Sequence, residues 1–98
     1  MKLLTKAIRA KLPALYSQED KGDEAIVQVK FFTPWSNWTW FATEFDGEDR
    51  FFGKVVGFET ELGCFSLSEL ESITGPMGLK IERDMYFDPK PLKDCPNK

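Results

Sequence analysis

The sequence predicts a small α+β domain, in which an antiparallel β-meander of three to five strands carries an N-terminal helix and a second short helix on one face. Two segments with helical spacing flank a central run of β-branched and aromatic residues, and Asp46–Gly47 is a hairpin signal within that run. The 98 residues suffice for one hydrophobic core. We therefore treat residues 1–98 as a single domain, with an ordered part over about residues 5–87 and a loose C-terminal tail over 88–98.

The first predicted helix covers about residues 5–12. Ile8 and Leu12 recur at helical spacing, and Thr5 is a residue type that caps helix N-termini. Pro13 disfavours helical geometry at the preceding residue, so the helix ends there. A polar loop over residues 17–24 then leads to the first strand.

The strands are predicted from β-branched and aromatic runs that end at turn residues. They cover residues 25–33, 38–45 and 50–58, with a short fourth strand over 63–66 and a last strand over 79–87.

The second helix is predicted over about residues 67–73. Ser66 and Glu69 form a capping-box pattern before it, and Gly75 and Pro76 close it.

The two hairpin turns fix which side chains share a sheet face. A four-residue turn before Trp38 pairs Phe31 with Trp40, and a two-residue Asp-Gly turn pairs Phe41 with Phe52 and Trp40 with Gly53, which leaves room for the indole. One face is then the core face, and it carries Val27, Val29, Phe31, Trp38, Trp40, Ala42, Phe51, Gly53, Val55 and Gly57. Basic and aromatic residues alternate on the other face, which carries Ile26, Gln28, Lys30, Phe32, Thr39, Phe41, Thr43, Phe45, Arg50, Phe52, Lys54, Val56 and Phe58.

This second face, the basic–aromatic face, has two interpretations. Its rings can stack unpaired bases while its cations neutralise phosphates, as in sheets that bind single strands. The residues in question are Lys30, Phe32, Phe41, Arg50, Phe52 and Lys54. Alternatively, the tail or loops cover the rings and the cationic stems lie over them.

A second candidate surface combines Trp35 with the acidic turn after the second strand. The Trp35 ring either is an exposed anchor for a protein partner or folds back onto the hairpin edge. The acidic turn contains Glu44, Asp46, Glu48 and Asp49. These residues either are solvated or hold Mg²⁺ or Ca²⁺, and a metal-dependent nuclease would use Glu44 and Asp46.

The composition excludes several classes of site. The chain has no His and only two Cys, so it lacks a Ser-His-Asp or Cys-His nucleophile system, and a zinc site within one chain is nearly excluded. We predict no catalytic residue, no metal ligand and no cofactor.

The net charge of -3 gives no basic footprint for duplex DNA. Without a signal peptide or membrane span, a cytoplasmic location is expected, with Cys64 and Cys95 as free thiols.

The charge is unevenly distributed along the chain. Residues 1–11 carry Lys2, Lys6, Arg9 and Lys11 and no acid, whereas residues 44–71 carry eight acidic residues against two basic ones. Such a distribution either steers a charged partner or forms two solvated faces.

The segments "SNWTW…ATEFDGED…FFG" and "GCFSLSELES…G" resemble a family of small uncharacterised bacterial proteins, domain of unknown function 2958. The resemblance extends over nearly the whole chain. Members of that family tend to lie on plasmids, integrative elements and phage-like DNA, and no activity is attached to them, so no catalytic residue is transferred. The resemblance implies a mobile-element setting, in which small acidic proteins often bind and disable a host defence or DNA-processing protein.

We therefore expect a non-enzymatic protein-binding module of a mobile genetic element. It would bind a host or element-encoded protein through Trp35, Asp46, Glu48 and Asp49. The alternatives are single-stranded nucleic-acid binding on the basic–aromatic face and a metal-dependent nuclease. No membrane partner is expected, and the oligomeric state is left open.

Overall fold

Five antiparallel strands form the central sheet of this computed structural model, which describes residues 2–96. In chain order the α-helices and strands are α1 (Lys6–Lys11), β1 (Ile26–Val27), β2 (Val29–Phe32), β3 (Thr39–Phe45), β4 (Arg50–Val56), β5 (Thr60–Ser66), α2 (Leu67–Ser72), β6 (Glu82–Arg83) and β7 (Lys90–Pro91), and short 3-10 helices cover Glu19–Glu24, Pro76–Gly78 and Leu92–Asp94. The strand order in the sheet is β5-β4-β3-β2-β6, and β1 pairs with β7 in a separate two-stranded sheet. The predicted α+β class with an antiparallel meander is confirmed.

Both predicted helix caps are present. The Thr5 hydroxyl accepts the Ile8 N–H at 3.2 Å, and the Ser66 hydroxyl accepts the Glu69 N–H at 3.1 Å. Each bond satisfies one of the N–H groups that a helix N-terminus leaves without a partner. The predicted bounds of both helices therefore agree with the structure to about one residue.

The larger core lies between the two helices and one face of the sheet. Phe51 is fully buried at its centre, with its ring 5.5 Å from Phe31, 4.6 Å from Phe45 and 5.3 Å from Phe65 between centroids. Leu70 of α2 belongs to the same cluster. Because aromatic rings bury large areas, this group of Phe side chains supplies much of the hydrophobic stabilisation.

The strand register agrees with the prediction in one hairpin and differs in the next. Between β2 and β3, Phe31 lies opposite Trp40, as predicted. Between β3 and β4, however, Phe41 lies opposite Lys54 instead of Phe52. Gly53 lies opposite Ala42, so it leaves room for the β3 backbone and not for the Trp40 indole.

The turn between β3 and β4 is one cause of this shift. The Asp46 Oδ1 atom accepts the backbone N–H groups of Glu48, Asp49 and Arg50 at 2.8, 2.8 and 3.0 Å. A side chain that accepts nearby N–H groups stabilises a wider turn. The predicted two-residue Asp-Gly turn is therefore wrong.

A β-bulge between Ala42 and Glu44 is the second cause. A bulge inserts an extra residue into one strand and changes the face on which the following side chains lie. Phe45 consequently belongs to the larger core, although strict alternation placed it on the basic–aromatic face.

The basic–aromatic face is covered by segments near both ends of the chain. A second buried cluster lies there, and it contains Ala25, Val27, Phe41, Val56, Leu92 and Cys95, with Phe87 packed against it. Val27 was predicted on the core face with Val29. It lies in the second cluster because β1 leaves the central sheet and pairs with β7.

Lys54 binds the C-terminal segment to this face. Its side chain is only 8% exposed, and its Nζ atom donates to the carbonyl oxygens of Cys95 at 2.8 Å and Leu92 at 3.4 Å. The same Nζ atom lies 5.5 Å from the centroid of the Phe41 ring. Residues 90–95 are therefore packed, whereas the sequence predicted a loose tail over 88–98. Residues 97 and 98 of that prediction lie outside the described residues.

Several strands differ in length from the prediction, and β4 ends at Val56 instead of residue 58. The first predicted strand divides into β1 and β2, and β5 is longer than expected. The last strand, predicted over 79–87, contains only Glu82–Arg83, opposite Phe31 and Phe32. It ends where the Asp84 Oδ1 atom accepts the Tyr86 N–H at 2.9 Å, because this bond turns the chain away from the sheet.

The variant Gly53→Ala tests the close pairing of β3 and β4. A Cβ atom at Gly53 would lie 1.8 Å from the Phe41 carbonyl oxygen, whereas one at Gly63 would meet nothing within 4 Å. We expect Gly53→Ala to lower the free energy of unfolding by about 3 kcal/mol, since the backbone must move. Gly63→Ala, the matched control, should change it by less than about 0.5 kcal/mol. Urea denaturation measures the unfolding free energy of both variants. An equal loss in the two would contradict the close approach of β3 and β4 at Gly53.

Candidate functional site

The predicted protein-binding residues lie at opposite ends of the sheet. Trp35 lies in the turn before β3, and the acidic residues Asp46, Glu48 and Asp49 lie in the turn after it. β3 has seven residues, which at a rise of about 3.3 Å per residue separates the two turns by about 20 Å. The structure therefore does not bring Trp35 and the acidic turn together into one compact site.

The Trp35 ring folds back onto the protein. It is partly buried and packs against the larger core. A Cβ atom at Gly75 would lie 2.4 Å from Cδ2 of the ring, so the indole covers this glycine directly. Of the two interpretations of Trp35, the packed ring is the one that the structure contains.

Two of the three acids in the turn bind the protein's own backbone. Asp46 accepts the three N–H groups described above. Asp49 accepts from Ser68 twice, with Oδ1 from the backbone N–H and Oδ2 from the hydroxyl, both at 2.8 Å. Since Ser68 lies in the first turn of α2, the Asp49 carboxylate also interacts favourably with the helix dipole. Glu48 is exposed.

Helix α1 supplies a cation to the same turn. The Arg9 Nη1 atom donates to the Gly47 carbonyl oxygen at 2.6 Å, and its guanidinium lies 5.2 Å from the centroid of the Phe45 ring. The basic segment over residues 1–11 thus meets the acidic turn through Arg9. A contact of this kind compensates part of the negative charge that the sequence placed there.

Glu44 is separate from the other acids. It is only 2% exposed, and its carboxylate accepts the backbone N–H groups of Tyr16 at 2.7 Å and Gln18 at 2.8 Å. Within residues 2–96, no group of three or more His, Cys, Asp or Glu side chains is arranged to hold a metal ion. The geometry therefore gives no support to a metal-dependent nuclease on Glu44 and Asp46.

The basic–aromatic face is not open to bases. Phe41 is 1% exposed, and Lys54 binds the carbonyl oxygens of the C-terminal segment. Lys30 forms an ion pair with Asp84 at 3.6 Å. Phe32 and Phe52 are half-buried, and Arg50 is exposed. The six residues therefore do not form one accessible stacking surface.

The one strongly exposed phenylalanine of residues 2–96, Phe58, lies elsewhere, at the end of the sheet that carries the turns before β3 and after β4. We name Trp35, Trp38 and Phe58 the aromatic end. Phe58 is 95% exposed, and its ring lies edge-on to Trp38, with 5.5 Å between the centroids and an angle of 83°. Trp38 in turn stacks on Trp40 at 6.0 Å.

Glycine makes this arrangement possible. A Cβ atom at Gly57 would lie 2.5 Å from the Trp38 ring, so only glycine admits the indole at this position. The Gly57 N–H donates to the Glu59 carbonyl oxygen at 3.0 Å, which places Phe58 at the tip of the turn between β4 and β5. The sequence prediction placed Phe58 at the end of a strand. The Gly57 beside it was the signal for a turn.

Two acids follow Phe58 in sequence, and a fully exposed methionine lies in the loop that packs against Trp35. Met77 is 100% exposed, in the loop whose Gly75 packs under Trp35. Glu59 and Glu61 are exposed directly after Phe58. The surface is therefore apolar at its centre and acidic on the side of β5.

Nearly the whole chain matches one known protein family. A family model described as "Protein of unknown function (DUF2958)" matches residues 3–93. The chain belongs to this family. The match confirms the family resemblance, and it carries no statement on activity, partner or genetic setting. No curated protein and no solved structure matches the chain significantly. Across residues 2–96 of this family member, no helix is long and apolar enough to cross a membrane.

The Asp46 turn predicts a defined pH dependence. Its three backbone N–H donors lower the pKa of the Asp46 carboxyl from the ordinary value of 3.8, so ionisation stabilises the folded state. This contribution is complete above the ordinary pKa and is lost as the pH falls through the lowered one. The difference in unfolding free energy between wild type and Asp46→Asn should therefore be constant at pH values well above 3.8 and disappear as the pH falls through the lowered pKa.

Urea denaturation at a series of pH values measures this difference. Glu48→Gln is the matched control, because it removes a charge from the same turn but leaves the Asp46 carboxylate, which accepts the three backbone N–H groups. We expect Glu48→Gln to change the unfolding free energy at pH 7 by less than about 0.5 kcal/mol. A difference between wild type and Asp46→Asn that persists unchanged at low pH would show that the carboxylate charge is not the cause.

Proposed function

We propose that the protein is a non-enzymatic protein-binding module that binds its partner through the aromatic end of the sheet. The single observation that carries this proposal is Phe58, a large ring that is 95% exposed yet held in a defined orientation against Trp38. Exposed apolar groups that cluster on a folded domain mark interaction surfaces. Aromatic residues are also enriched among those that contribute most to binding free energy.

The packing beneath Phe58 favours binding. Trp38 is fixed by its stacking on Trp40 and by the space over Gly57, so the ring that supports Phe58 is already ordered before a partner arrives. Association loses less conformational entropy when the contact residues are ordered in advance. The binding surface that we propose therefore includes Trp35 and Trp38 as supporting residues and Phe58 as the residue that enters the partner.

The charges beside Phe58 suggest the chemistry of the partner. Glu59 and Glu61 are exposed along the start of β5. A complementary protein surface would have an apolar pocket bordered by Lys or Arg, and rim charges of this kind affect the association rate and its salt dependence. A host or element-encoded protein, inhibited by the contact, fits the mobile-element setting that the family resemblance implies.

The alternatives receive less support. Nucleic-acid binding on the basic–aromatic face requires Phe41 and Lys54, and both are buried. A nuclease requires a metal or nucleophile arrangement, and within residues 2–96 no group of three or more His, Cys, Asp or Glu side chains is arranged to hold a metal ion.

The variant Phe58→Ala tests the proposal, with Tyr86→Ala as its matched control. The two rings are 95% and 94% exposed, so both variants should keep the unfolding free energy within about 0.5 kcal/mol of wild type. Tyr86 follows β6, the edge strand opposite β5, and lies away from the aromatic end. We expect Phe58→Ala to weaken partner binding by about tenfold or more and Tyr86→Ala to leave it unchanged.

Capture from host lysate on the immobilised full chain identifies the partner, and titration calorimetry of the purified pair gives the affinities. If Phe58→Ala captures every protein that the wild type captures, with equal affinity, the aromatic end is not the binding surface.

A further inference from the structure

A cavity lies between the 16–25 segment and the sheet, away from the aromatic end. Its volume is about 170 Å³, below the roughly 300 Å³ at which sites for drug-sized ligands begin. Apolar side chains form most of the wall, among them Ala25, Phe52, Leu62 and Leu92. Leu62 is 60% exposed, so the cavity borders the protein surface and a ligand can reach it.

Glu44 is one of the residues that line this cavity. It is buried, and it accepts one backbone N–H at each oxygen, from Tyr16 and from Gln18. Each carboxylate oxygen has capacity for a further hydrogen bond. Within residues 2–96, no Lys or Arg forms an ion pair with Glu44. A buried charge of this kind is costly unless a cation accompanies it.

A second acceptor lines the same cavity. The Gln18 Oε1 atom is buried and has no hydrogen-bond partner among residues 2–96. Buried polar atoms without partners are rare in folded proteins, and each calls for an explanation such as a missing ligand. The cavity therefore combines the Glu44 carboxylate and the Gln18 oxygen with largely apolar walls, and Tyr16, Glu19 and Thr43 add further polar groups to its lining.

We propose that this cavity binds an alkylammonium group. The ammonium has three donors and no acceptor, which suits the Glu44 carboxylate and the Gln18 oxygen. Its hydrocarbon chain would lie against Phe52, Leu62 and Leu92. The source is either a free small amine or the lysine side chain of a protein, and both present the same chemistry to the site.

The lining disfavours other classes of ligand. An anion would be repelled by Glu44, and a neutral apolar molecule would leave both acceptors unsatisfied. A divalent cation needs six or so oxygen ligands, which an apolar wall cannot supply.

The test is a titration of the full chain followed by ¹H–¹⁵N NMR, read at the backbone amides of Tyr16 and Gln18 because these donate to Glu44. The probes are n-butylamine, as a free amine, and Nα-acetyl-lysine N-methylamide, as a lysine side chain. The controls are n-butanol, which is neutral, and butyrate, which is anionic. We expect a saturable shift of both amides with at least one ammonium probe, and binding of the controls to be about tenfold weaker or absent.

Two variants locate the contact. Glu44→Gln should weaken ammonium binding by about tenfold or more. Because Glu44 also holds the 16–18 backbone, Leu62→Ser is the second variant, since Leu62 is exposed and its loss should not affect folding. It should weaken n-butylamine binding several-fold.

Shifts from n-butylamine alone identify a free amine, and shifts from the lysine derivative alone identify a protein side chain. No shift from either ammonium probe, an equal shift from n-butanol, or unchanged affinity in both variants would overturn the proposal.

Discussion

The buried ammonium of Lys54 determines what this fold leaves exposed. Six of the seven residues of β3 are buried, so the central strand needs cover on both faces of the sheet. Two helices cover one face. The other is covered by residues 25–27 together with a C-terminal segment, and the Lys54 Nζ atom binds that segment through the Leu92 and Cys95 carbonyl oxygens. A buried cation requires such hydrogen bonds to offset its lost hydration, which makes the contact specific for this arrangement.

With both faces covered, the turns at the two ends of the sheet become the prominent surfaces. They differ in chemistry. At the acidic turn, Asp46 and Asp49 accept hydrogen bonds from the protein's own backbone, and Arg9 adds a cation. At the aromatic end, by contrast, Phe58 is supported by Trp38 but contacts solvent over nearly its whole surface. Phe58 is exposed on an ordered supporting ring, whereas Asp46 and Asp49 are already hydrogen-bonded, and that difference is why the proposed protein contact is placed at the aromatic end.

Local features of the fold could be predicted from the sequence, and features that depend on distant residues could not. The caps at Thr5 and Ser66 and the β2–β3 register follow from residues within one turn of each other. The predicted β3–β4 register was wrong because the Asp46 side chain accepts three backbone N–H groups and stabilises a wider turn. The Asp-Gly pair alone does not distinguish this turn from a two-residue one. The packing of the C-terminal segment was not predicted, because it depends on Lys54 binding carbonyl groups 38 and 41 residues away. Among the candidate site residues, the sequence located the acids of the turn but not their hydrogen-bond partners, and it placed Phe58 at the end of a strand instead of at the tip of an exposed turn.

Thiol labelling of Lys54→Met tests most directly whether Lys54 holds the second face closed. Burial raises the pKa of the Cys95 thiol, and the charge of Lys54 partly opposes this. Loss of that charge alone would therefore slow labelling, so faster labelling requires that the segment open. In the wild type, exposed Cys64 should react rapidly and buried Cys95 slowly. In folded Lys54→Met, we expect Cys95 to react about tenfold faster and Cys64 to react at an unchanged rate. The tenfold change is equivalent to a loss of about 1.4 kcal/mol in the free energy that holds the C-terminal segment against the sheet. An unchanged or slower Cys95 rate in the variant would contradict the account.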